Sequence, residues 1–341
     1  MARTAIGLVA LLVCLSVAGA ASAQGAAAPT AQDRPGDSPR EALADAWWTG
    51  PLLAPNASAF PRGHMLIEPY VYDEITTGRY DNSGNHRPAP NEHDVGSLTY
   101  IIYALTDRLS VGLLPRFGYN EPAGAPSNSS PNVGDFGAQL QYSLTSFHEG
   151  SPLPATAVLV GETFPTGRYD HLQRTSDGFG AGAYTTSLAW YSQDFLWMPN
   201  GRILRVRLDL TYTISSSVSV EDASVYGTTA GFRGHAYPGD GASADAAAEY
   251  SLTRNWVLAT DLIWSHNAST RITGSRDPGT IGANAGFVNL QSGSSEYLAI
   301  APAVEFNWSA RMGVIVGARI FIAGRNTTAS ITPVTAINMV F

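Results

Sequence analysis

Hydrophobic and polar residues alternate with a period of two along most of the chain from about residue 64 onward. Between residues 202 and 212, for example, Leu204 and Leu208 fall on one face of an extended chain, while Arg205 and Asp209 fall on the other. Segments of roughly ten residues with this pattern are separated by clusters of Gly, Pro, Asn, Asp and Ser. The pattern predicts an all-β protein.

The composition of the polar face distinguishes a membrane barrel from a soluble sandwich. In the segment 298–308, the face opposite Val304 and Phe306 carries Ala301, Ala303 and Glu305. Small residues mixed with isolated charges suit a crowded, wet interior, whereas the outer face of a sandwich would carry many solvated side chains. The sequence therefore predicts a transmembrane antiparallel outer-membrane β-barrel with lipid on its apolar side.

The spacing of the alternating segments predicts about 12 strands. The connections alternate between short turns, such as 106–108 and 253–255, and long polar loops, such as 214–241. Short periplasmic turns and long extracellular loops are typical of bacterial outer-membrane barrels. The predicted strands span 64–73, 94–105, 109–119, 133–145, 155–164, 181–193, 202–213, 242–252, 256–266, 295–307, 312–322 and 329–341. The loop between the first two would cover 74–93.

The start of the chain predicts export. Arg3 precedes an apolar stretch that ends in small residues up to Ala23, which is typical of a signal peptide at 1–23 that is cleaved near Ala23. Residues 24–61 are rich in Ala, Pro and Gly and do not alternate, so we expect a flexible periplasmic leader before a barrel at 62–341. Within this leader, Trp47 and Trp48 could enter the lumen as a small plug or lie at the membrane interface.

The charge and the Cys and His content of the chain limit the kinds of partner that we expect it to bind. All 20 basic residues are Arg, and the formal net charge is -8, so nucleic-acid binding is not expected. The one cysteine, Cys14, leaves with the predicted signal, and the histidines show no metal-ligand spacing. We therefore expect no metal and no cofactor. The expected partners are outer-membrane lipids, the barrel-assembly machinery and a small-molecule solute.

The last strand ends in an aromatic residue. Ile337, Met339 and Phe341 alternate outward, and Phe341 is the final residue. In this respect the sequence resembles bacterial outer-membrane barrels as a class, whose final strand ends in an aromatic residue that the assembly machinery reads. The resemblance implies that Phe341 is an assembly signal.

A narrower resemblance rests on the segment 161–170, in which a strand runs into Pro165-Thr166-Gly167 and then Tyr169-Asp170. Together with the segments 47–52 and 63–70, it resembles the phenol meta-pathway (MetA-type) family of outer-membrane β-barrel transporters. The resemblance covers about residues 47–341 and implies uptake of aromatic or other small apolar compounds. On physical grounds, Pro165 would end the strand, Thr166 would bond locally and Gly167 would allow a positive φ.

The alternation also assigns charged residues to the lumen face. This set supports either a solute pathway with a charge pattern or ion pairs that brace a narrow barrel, and the sequence leaves both open. The candidate lumen-lining residues are Glu68, Arg116, Asp135, Arg205, Arg207, Asp209, Asp245, Glu249, Asp261, Glu305 and Arg319.

The expected function is a channel or transporter in the bacterial outer membrane for small aromatic or weakly polar compounds. One alternative is a structural or adhesive barrel without transport. A lipid hydrolase is a second alternative, because Ser265 and His266 lie near an outer strand end. Adjacent strand residues point to opposite faces, so these two do not suit a nucleophile and its base, and no enzyme activity is expected.

Overall fold

The computed structural model describes residues 40–128, 130–276 and 286–341. The predicted signal peptide at 1–23 and residues 24–39 of the predicted leader lie outside the described residues. Within the described ranges, no helix is both long enough and apolar enough to cross a membrane.

Antiparallel strands form nearly all of the regular structure, together with two short 3₁₀ helices at Leu43–Asp45 and Thr175–Asp177. In chain order the described strands are β1 (Met65–Tyr80), β2 (His86–Ala104), β3 (Leu109–Leu114), β4 (Arg116–Glu121), β5 (Asn132–Val133), β6 (Phe136–Thr145), β7 (Ala155–Phe164), β8 (Thr185–Trp197), β9 (Ile203–Ser215), β10 (Val218–Glu221), β11 (Phe232–Tyr237), β12 (Gly241–Ser251), β13 (Trp256–Asn267), β14 (Arg271–Arg276), β15 (Gly286–Gln291), β16 (Ser295–Ser309), β17 (Met312–Arg325) and β18 (Thr327–Val340).

Most of these strands build a closed 12-strand antiparallel barrel, which confirms the predicted fold class. β1 pairs with β2 on one side and with β18 on the other, so the first and last wall strands join. The other wall strands pair with their neighbours in chain order. Closure gives the backbone N–H and C=O groups of the wall their partners within the sheet, as the hydrocarbon core of a membrane requires.

Two of the wall strands are interrupted, one at its middle and the other near the extracellular end. β3 and β4 are halves of one wall strand separated by Pro115, which has no N–H to donate to the ladder. β5 and β6 are halves of the next wall strand, separated by Gly134 and Asp135. Phe179, from the loop after β7, packs beside this break, where a Cβ on Gly134 would lie 3.1 Å from its ring.

The polar face of the wall strands points inward, as the alternation predicts. On β9, Arg205, Arg207 and Asp209 are buried, whereas Leu210 and Tyr212 are exposed on the outer surface. This arrangement gives the barrel an apolar exterior and a charged, partly filled lumen.

The loop expected at 74–93 is wrong in extent, because β1 and β2 continue into it as a two-stranded ribbon. The connecting turn at 81–85 is stabilised by Asp81, whose carboxylate accepts the backbone N–H groups of Ser83 and Asn85 at 2.9 and 3.0 Å. These hydrogen bonds lower the pKa of Asp81 to about 2. The two strands of this ribbon pair their backbone N–H and C=O groups with each other, so the ribbon forms without an alternation of apolar and polar side chains.

Two of the long outer loops also contain strands. β10 and β11 follow β9, β14 and β15 follow β13, and together they form a four-stranded lid sheet in the order β10, β11, β14, β15. A small core that includes Val220, Phe232 and Ile272 packs this lid sheet against Ala183 of the loop before β8. The extracellular end of the barrel is thus covered by ordered loops.

The inward and outward assignment can be tested on two adjacent residues near the middle of β9. Leu208→Arg places a charge on the lipid side and is expected to lower the free energy of unfolding by about 2 to 4 kcal/mol if the residue lies at mid-membrane depth. Asp209→Asn is the control, because neither carboxylate oxygen of Asp209 has a hydrogen-bond partner among the described residues. Urea unfolding in lipid vesicles measures both, and equal losses would contradict the assignment.

Candidate functional site

The lumen contains a plug segment, defined as residues 40–61, that enters from the periplasmic end. The backbone N–H of Glu41 donates to the carbonyl of Gly201 at 2.9 Å. Its carboxylate accepts hydrogen bonds from Arg202 at 3.0 Å and from the hydroxyl of Ser251 at 2.5 Å. These partners lie in the turn between β8 and β9 and at the end of β12, so the plug segment begins at the short-turn end of the barrel.

The deepest anchor of the plug segment is a single carboxylate near the middle of β13. Asp261 accepts the backbone N–H groups of Leu52, Leu53 and Ala54 at 3.1, 3.3 and 3.0 Å. The carboxylate is 1% exposed. Charge-assisted hydrogen bonds of this kind are stronger than neutral ones, and successive N–H groups that converge on an anion form a stable nest. A buried acid therefore holds the inner end of the plug segment.

Further lumen side chains bond to the backbone on either side of this anchor. The N–H of Thr49 donates to Glu305 at 2.6 Å, and its hydroxyl donates to Asn307 at 2.8 Å. Arg207 donates to the carbonyl of Ala54 at 2.6 Å. Side chains of the wall thus provide hydrogen-bond partners for the irregular backbone of the plug segment.

Apolar packing supports these hydrogen bonds. Leu52 is 2% exposed and belongs to a buried cluster with Ala299, Ala301 and Ala303 of β16. The wall also comes close at Gly317, where a Cβ would lie 2.7 Å from the Leu52 side chain. The small residues that alternate inward on β16 and β17 therefore provide the space that Leu52 occupies.

The two tryptophans of the plug segment occupy different positions. Trp48 packs edge-on against Phe195 at 6.3 Å, and the guanidinium of Arg205 lies 4.6 Å from its ring centre. Trp47 lies near Arg254 of the turn between β12 and β13, with 5.1 Å between guanidinium and ring centre. The ring of Trp48 therefore lies in the lumen, as in the first of the two alternatives left open by the sequence, whereas the ring of Trp47 lies beside a short turn at the periplasmic end.

The plug segment then returns to the periplasmic end. Gln141 donates to the carbonyl of Asn56 at 2.8 Å, and Ser143 donates to that of Ala57 at 3.1 Å. Residues 40–61 of the expected leader therefore make specific contacts with the wall in this structure. Composition missed this because the apolar and backbone groups of the segment find their partners on distant strands.

A buried ion cluster stands beside the plug segment. Arg205 donates two hydrogen bonds to the carboxylate of Glu249, one of them at 2.6 Å. The Nε atom of Arg207 lies 3.2 Å from the same carboxylate. All three side chains are almost inaccessible to solvent, so loss of one partner would leave an uncompensated buried charge. The cluster braces the periplasmic half of the lumen.

An inner cavity of about 480 Å³ runs alongside the plug segment, from Leu66 and Val340 near the periplasmic end to Glu74 and Arg116 on the extracellular side. Its wall includes Tyr70 and Tyr100, whose rings meet edge-on at 5.8 Å, together with Tyr191, Gln139 and Gln141. These five residues were not among the lumen-lining residues that the sequence predicts. The alternation does predict an inward position for Tyr70, because this residue follows Glu68 by two positions and therefore lies on the same face of β1.

An outer cavity of about 470 Å³ lies on the extracellular side of the inner cavity. Tyr72, Glu74 and Arg116 line both cavities, and we call these three residues the junction. Phe179 and Tyr226, from two outer loops, complete the wall of the outer cavity. The two cavities therefore follow one another along the lumen and meet at the junction.

A loop contact closes the outer cavity on its lid side. The hydroxyl of Tyr226 donates to the carbonyl of Ala181 at 2.5 Å. Burial raises the pKa of Tyr226 to about 12, so the hydroxyl keeps its proton and remains a donor at neutral pH. The loop that carries Tyr226 is thereby tied to the loop before β8.

The structure places the eleven candidate lumen residues in three groups. Those that contact the plug segment or lie beside it are Arg205, Arg207, Asp209, Asp245, Glu249, Asp261 and Glu305. Those on the wall of the inner cavity away from the plug segment are Glu68, Arg116 and Arg319, and the one on the wall of the outer cavity alone is Asp135.

Two members of the first group differ from the rest. Asp209 and Asp245 are direct cross-strand partners on β9 and β12. Among the described residues, both carboxylate oxygens of Asp209 and the Oδ1 atom of Asp245 lack a hydrogen-bond partner. They therefore do not hold the plug segment, although they lie on the same face as Asp261. Within the described ranges, no group of three or more His, Cys, Asp or Glu side chains could hold a metal ion.

The Pro165-Thr166-Gly167 motif joins the barrel wall to the outer loop. The hydroxyl of Thr166 donates to the carbonyl of Gly134 at 2.9 Å, so its bond is long-range rather than local. Gly167 does not have a positive φ, which corrects the expected reason for this glycine. A Cβ there would instead lie 2.7 Å from the Cα of Gly180, so glycine permits a close approach of two loop backbones.

The carboxylate of Asp135 completes this motif. It accepts the N–H groups of Gly167 at 2.9 Å and Ala181 at 2.7 Å. Asp135 thus binds two loop segments to the break between β5 and β6. The arrangement explains why the loop after β7 folds over the lumen.

Residues singled out by the sequence also occur outside the cavities. Phe341 is exposed, and its backbone pairs with Met65 at the start of β1. On β13, Trp264 and His266 stack on each other, while Ser265 belongs to the face that carries the buried Asp261. Ser265 and His266 therefore point to opposite sides of the wall.

Comparisons with known proteins support the fold. No protein-family model and no curated protein sequence matches this chain. Among solved structures, the COG4313 outer membrane channel from Pseudomonas putida F1 is similar, with a TM-score of 0.63, 16% identity, and coverage of 85% of this chain and 100% of that chain. At this identity the likeness shows the fold alone, which is that of an outer-membrane β-barrel.

Two further structures are more distant and carry no argument. The β domain of the Bordetella autotransporter BrkA gives a TM-score of 0.41 at 9% identity, with 82% of this chain and 100% of that chain covered. The Pseudomonas putida toluene transporter TodX gives a TM-score of 0.30 at 9% identity, with 82% of this chain and 90% of that chain covered.

The anchoring role of Asp261 can be measured through a cysteine introduced in the plug segment. In a Leu52→Cys variant of the mature protein, adding Asp261→Ala removes three charge-assisted hydrogen bonds, so maleimide labelling of Cys at position 52 should become at least about tenfold faster. Asp245→Ala is the matched control, because it removes a neighbouring lumen carboxylate that does not bond to the plug segment. Equal labelling rates in the two variants would refute the anchor.

Proposed function

We propose that this protein is an outer-membrane channel for the uptake of small aromatic or weakly polar compounds. The observation that carries the proposal is the succession of two cavities that meet at the junction inside a closed barrel. Tyrosine rings and amide side chains line much of the inner cavity, and such a wall suits a small ring with few polar groups.

The resemblance to the phenol meta-pathway family supports the same proposal. The Pro165-Thr166-Gly167 motif closes the loop over the outer cavity through Asp135, so the motif serves the architecture of the entrance. The similar COG4313 protein is described as an outer membrane channel. We propose on this basis that the chain is a member of that transporter family and is exported by a signal peptide cleaved near Ala23.

In the proposed channel the plug segment is the periplasmic gate. Its anchors at Glu41, Thr49 and Asp261 hold it inside the periplasmic half of the lumen, so the path of a solute out of the inner cavity widens when some of them release. The anchors are hydrogen bonds rather than covalent links, and a local opening of this kind is compatible with an intact barrel wall.

A structural barrel without transport is the second candidate function. The observation that favours it is the same set of anchors, because a permanently held plug segment would act only as a brace. Catalysis is not part of the proposal, since Ser265 and His266 lie on opposite faces of β13 and cannot act as a pair.

Removal of the plug segment separates these two candidates. A variant that lacks residues 40–61 should show a larger and steadier planar-bilayer conductance than the full mature chain, because its periplasmic half is no longer filled. A heat-dependent gel shift verifies that the variant is still a folded barrel. Deletion of the gene should in addition slow growth on a dilute aromatic substrate. Equal conductances together with unimpaired growth would favour the structural barrel.

The proposed assembly role of Phe341 makes a further prediction. Phe341→Asp should strongly reduce the amount of folded barrel in the outer membrane, because the aromatic end of the last strand is proposed to be read by the assembly machinery. A charge near the interface by itself costs only about 0 to 1 kcal/mol, so Phe341→Tyr is the matched control and should assemble normally. Normal levels of the Asp variant in membrane fractions would contradict the assembly signal.

A further inference from the structure

The charges around the inner cavity are not balanced. Four arginines and two glutamates line the cavity, namely Arg116, Arg205, Arg207, Arg319, Glu68 and Glu74. Glu249, which contacts Arg205 and Arg207 from behind the cavity wall, offsets part of this excess. A guanidinium that is left without a carboxylate partner in a partly enclosed space attracts anions.

Most of these arginines already have carboxylate partners. Arg205 and Arg207 contact the buried Glu249, and Arg319 donates to Glu74 at 3.0 Å. Arg116 differs from them. Within residues 40–128, 130–276 and 286–341, its guanidinium has neither an ion pair nor a hydrogen bond, and the residue remains exposed to the cavities. It is therefore available to a solute.

The acids near Arg116 do not neutralise it by contact. Glu74 shares the junction, but its two oxygens bond to Arg319 and Ser330. Asp135 accepts two loop N–H groups. Asp94 lies on the wall of the outer cavity at the register position of Asn120, four residues from Arg116 along β4. The free guanidinium thus stands just inside an acidic entrance.

Tyrosine side chains line the same cavities as this guanidinium. Tyr72 is part of the junction, and Tyr70 and Tyr100 lie on the adjoining wall of the inner cavity. A planar guanidinium binds a carboxylate through two parallel hydrogen bonds, and tyrosine rings bind a flat apolar ring by stacking or edge contacts. Both halves of one ligand could therefore be bound at once.

We propose that the junction is a binding site for small aromatic carboxylates, with Arg116 as the residue that binds the carboxylate and the tyrosines as the residues that bind the ring. This inference rests on the proposed function and deepens it by naming the class of solute. The site would select an anionic ring over a neutral ring of the same shape as it passes from the outer to the inner cavity.

Benzoate and its neutral analogue benzamide provide the test. Isothermal titration calorimetry on the full mature barrel in detergent should give tighter binding of benzoate than of benzamide. Arg116→Gln should weaken benzoate binding by about 10- to 100-fold and benzamide binding by only about two- to threefold, because the amide carbonyl accepts a weaker hydrogen bond than the carboxylate does. The benzoate affinity of Arg116→Lys should lie between those of the wild type and Arg116→Gln, because lysine keeps the positive charge but lacks the planar guanidinium. Asp94→Asn should strengthen benzoate binding.

The outcomes separate this inference from the proposed function. If benzoate does not bind, or binds equally to wild type and Arg116→Gln, the carboxylate site is overturned while channel activity is judged by conductance and growth. If benzoate binds through Arg116 but the conductance and growth experiments favour a structural barrel, the site stands and the channel fails. A variant that loses benzamide binding as well would indicate a structural role for Arg116 and overturn the proposal. The heat-dependent gel shift excludes misfolding in each case.

Discussion

A backbone N–H or C=O group at membrane depth has no water to bond with, and leaving it unpaired costs several kcal/mol. The wall meets this constraint by closing β1 onto both β2 and β18. The plug segment is not a strand and meets the same constraint through lumen side chains. Asp261 and Glu305 accept its N–H groups, and Arg207, Gln141 and Ser143 donate to its carbonyl oxygens. Polar lumen residues therefore serve as backbone partners as well as wall surface.

Because of this constraint, the charged residues of the lumen have different roles. Buried acids hold either the plug segment, as Asp261 does, or arginines, as Glu249 does. At the extracellular end Asp135 has the corresponding task for the outer loops. Arg116 is the lumen arginine of the described residues that these tasks leave unpaired, and its position between the two cavities gives it a contact surface for solute. Some of the lumen charges thus stabilise the architecture, and a different one provides selectivity for the solute.

The two ends of the barrel are obstructed by different means. The extracellular end is covered by the lid sheet, whose strands complete each other's hydrogen bonds, and by loops tied to the break in β5 and β6. The periplasmic end is narrowed by the plug segment, which has no regular pairing and is held by individual side chains of several strands. Side-chain anchors release one at a time more readily than a cooperative sheet does. In the proposed channel, movement is therefore expected in the plug segment and not in the wall.

The sequence by itself determined the wall: strands, inward face and closed fold follow from period-two alternation, because an extended chain puts successive side chains on opposite faces whatever its partner is. Only the tertiary structure decided the rest. The plug segment has no periodicity, and Leu52 bonds to a carboxylate 209 residues away. The reason for Gly167 depends on the nearby backbone of Gly180. The sequence also does not reveal that Arg319 is paired and Arg116 is not. Both are inward-facing arginines, and only the folded barrel brings Glu74 into contact with Arg319.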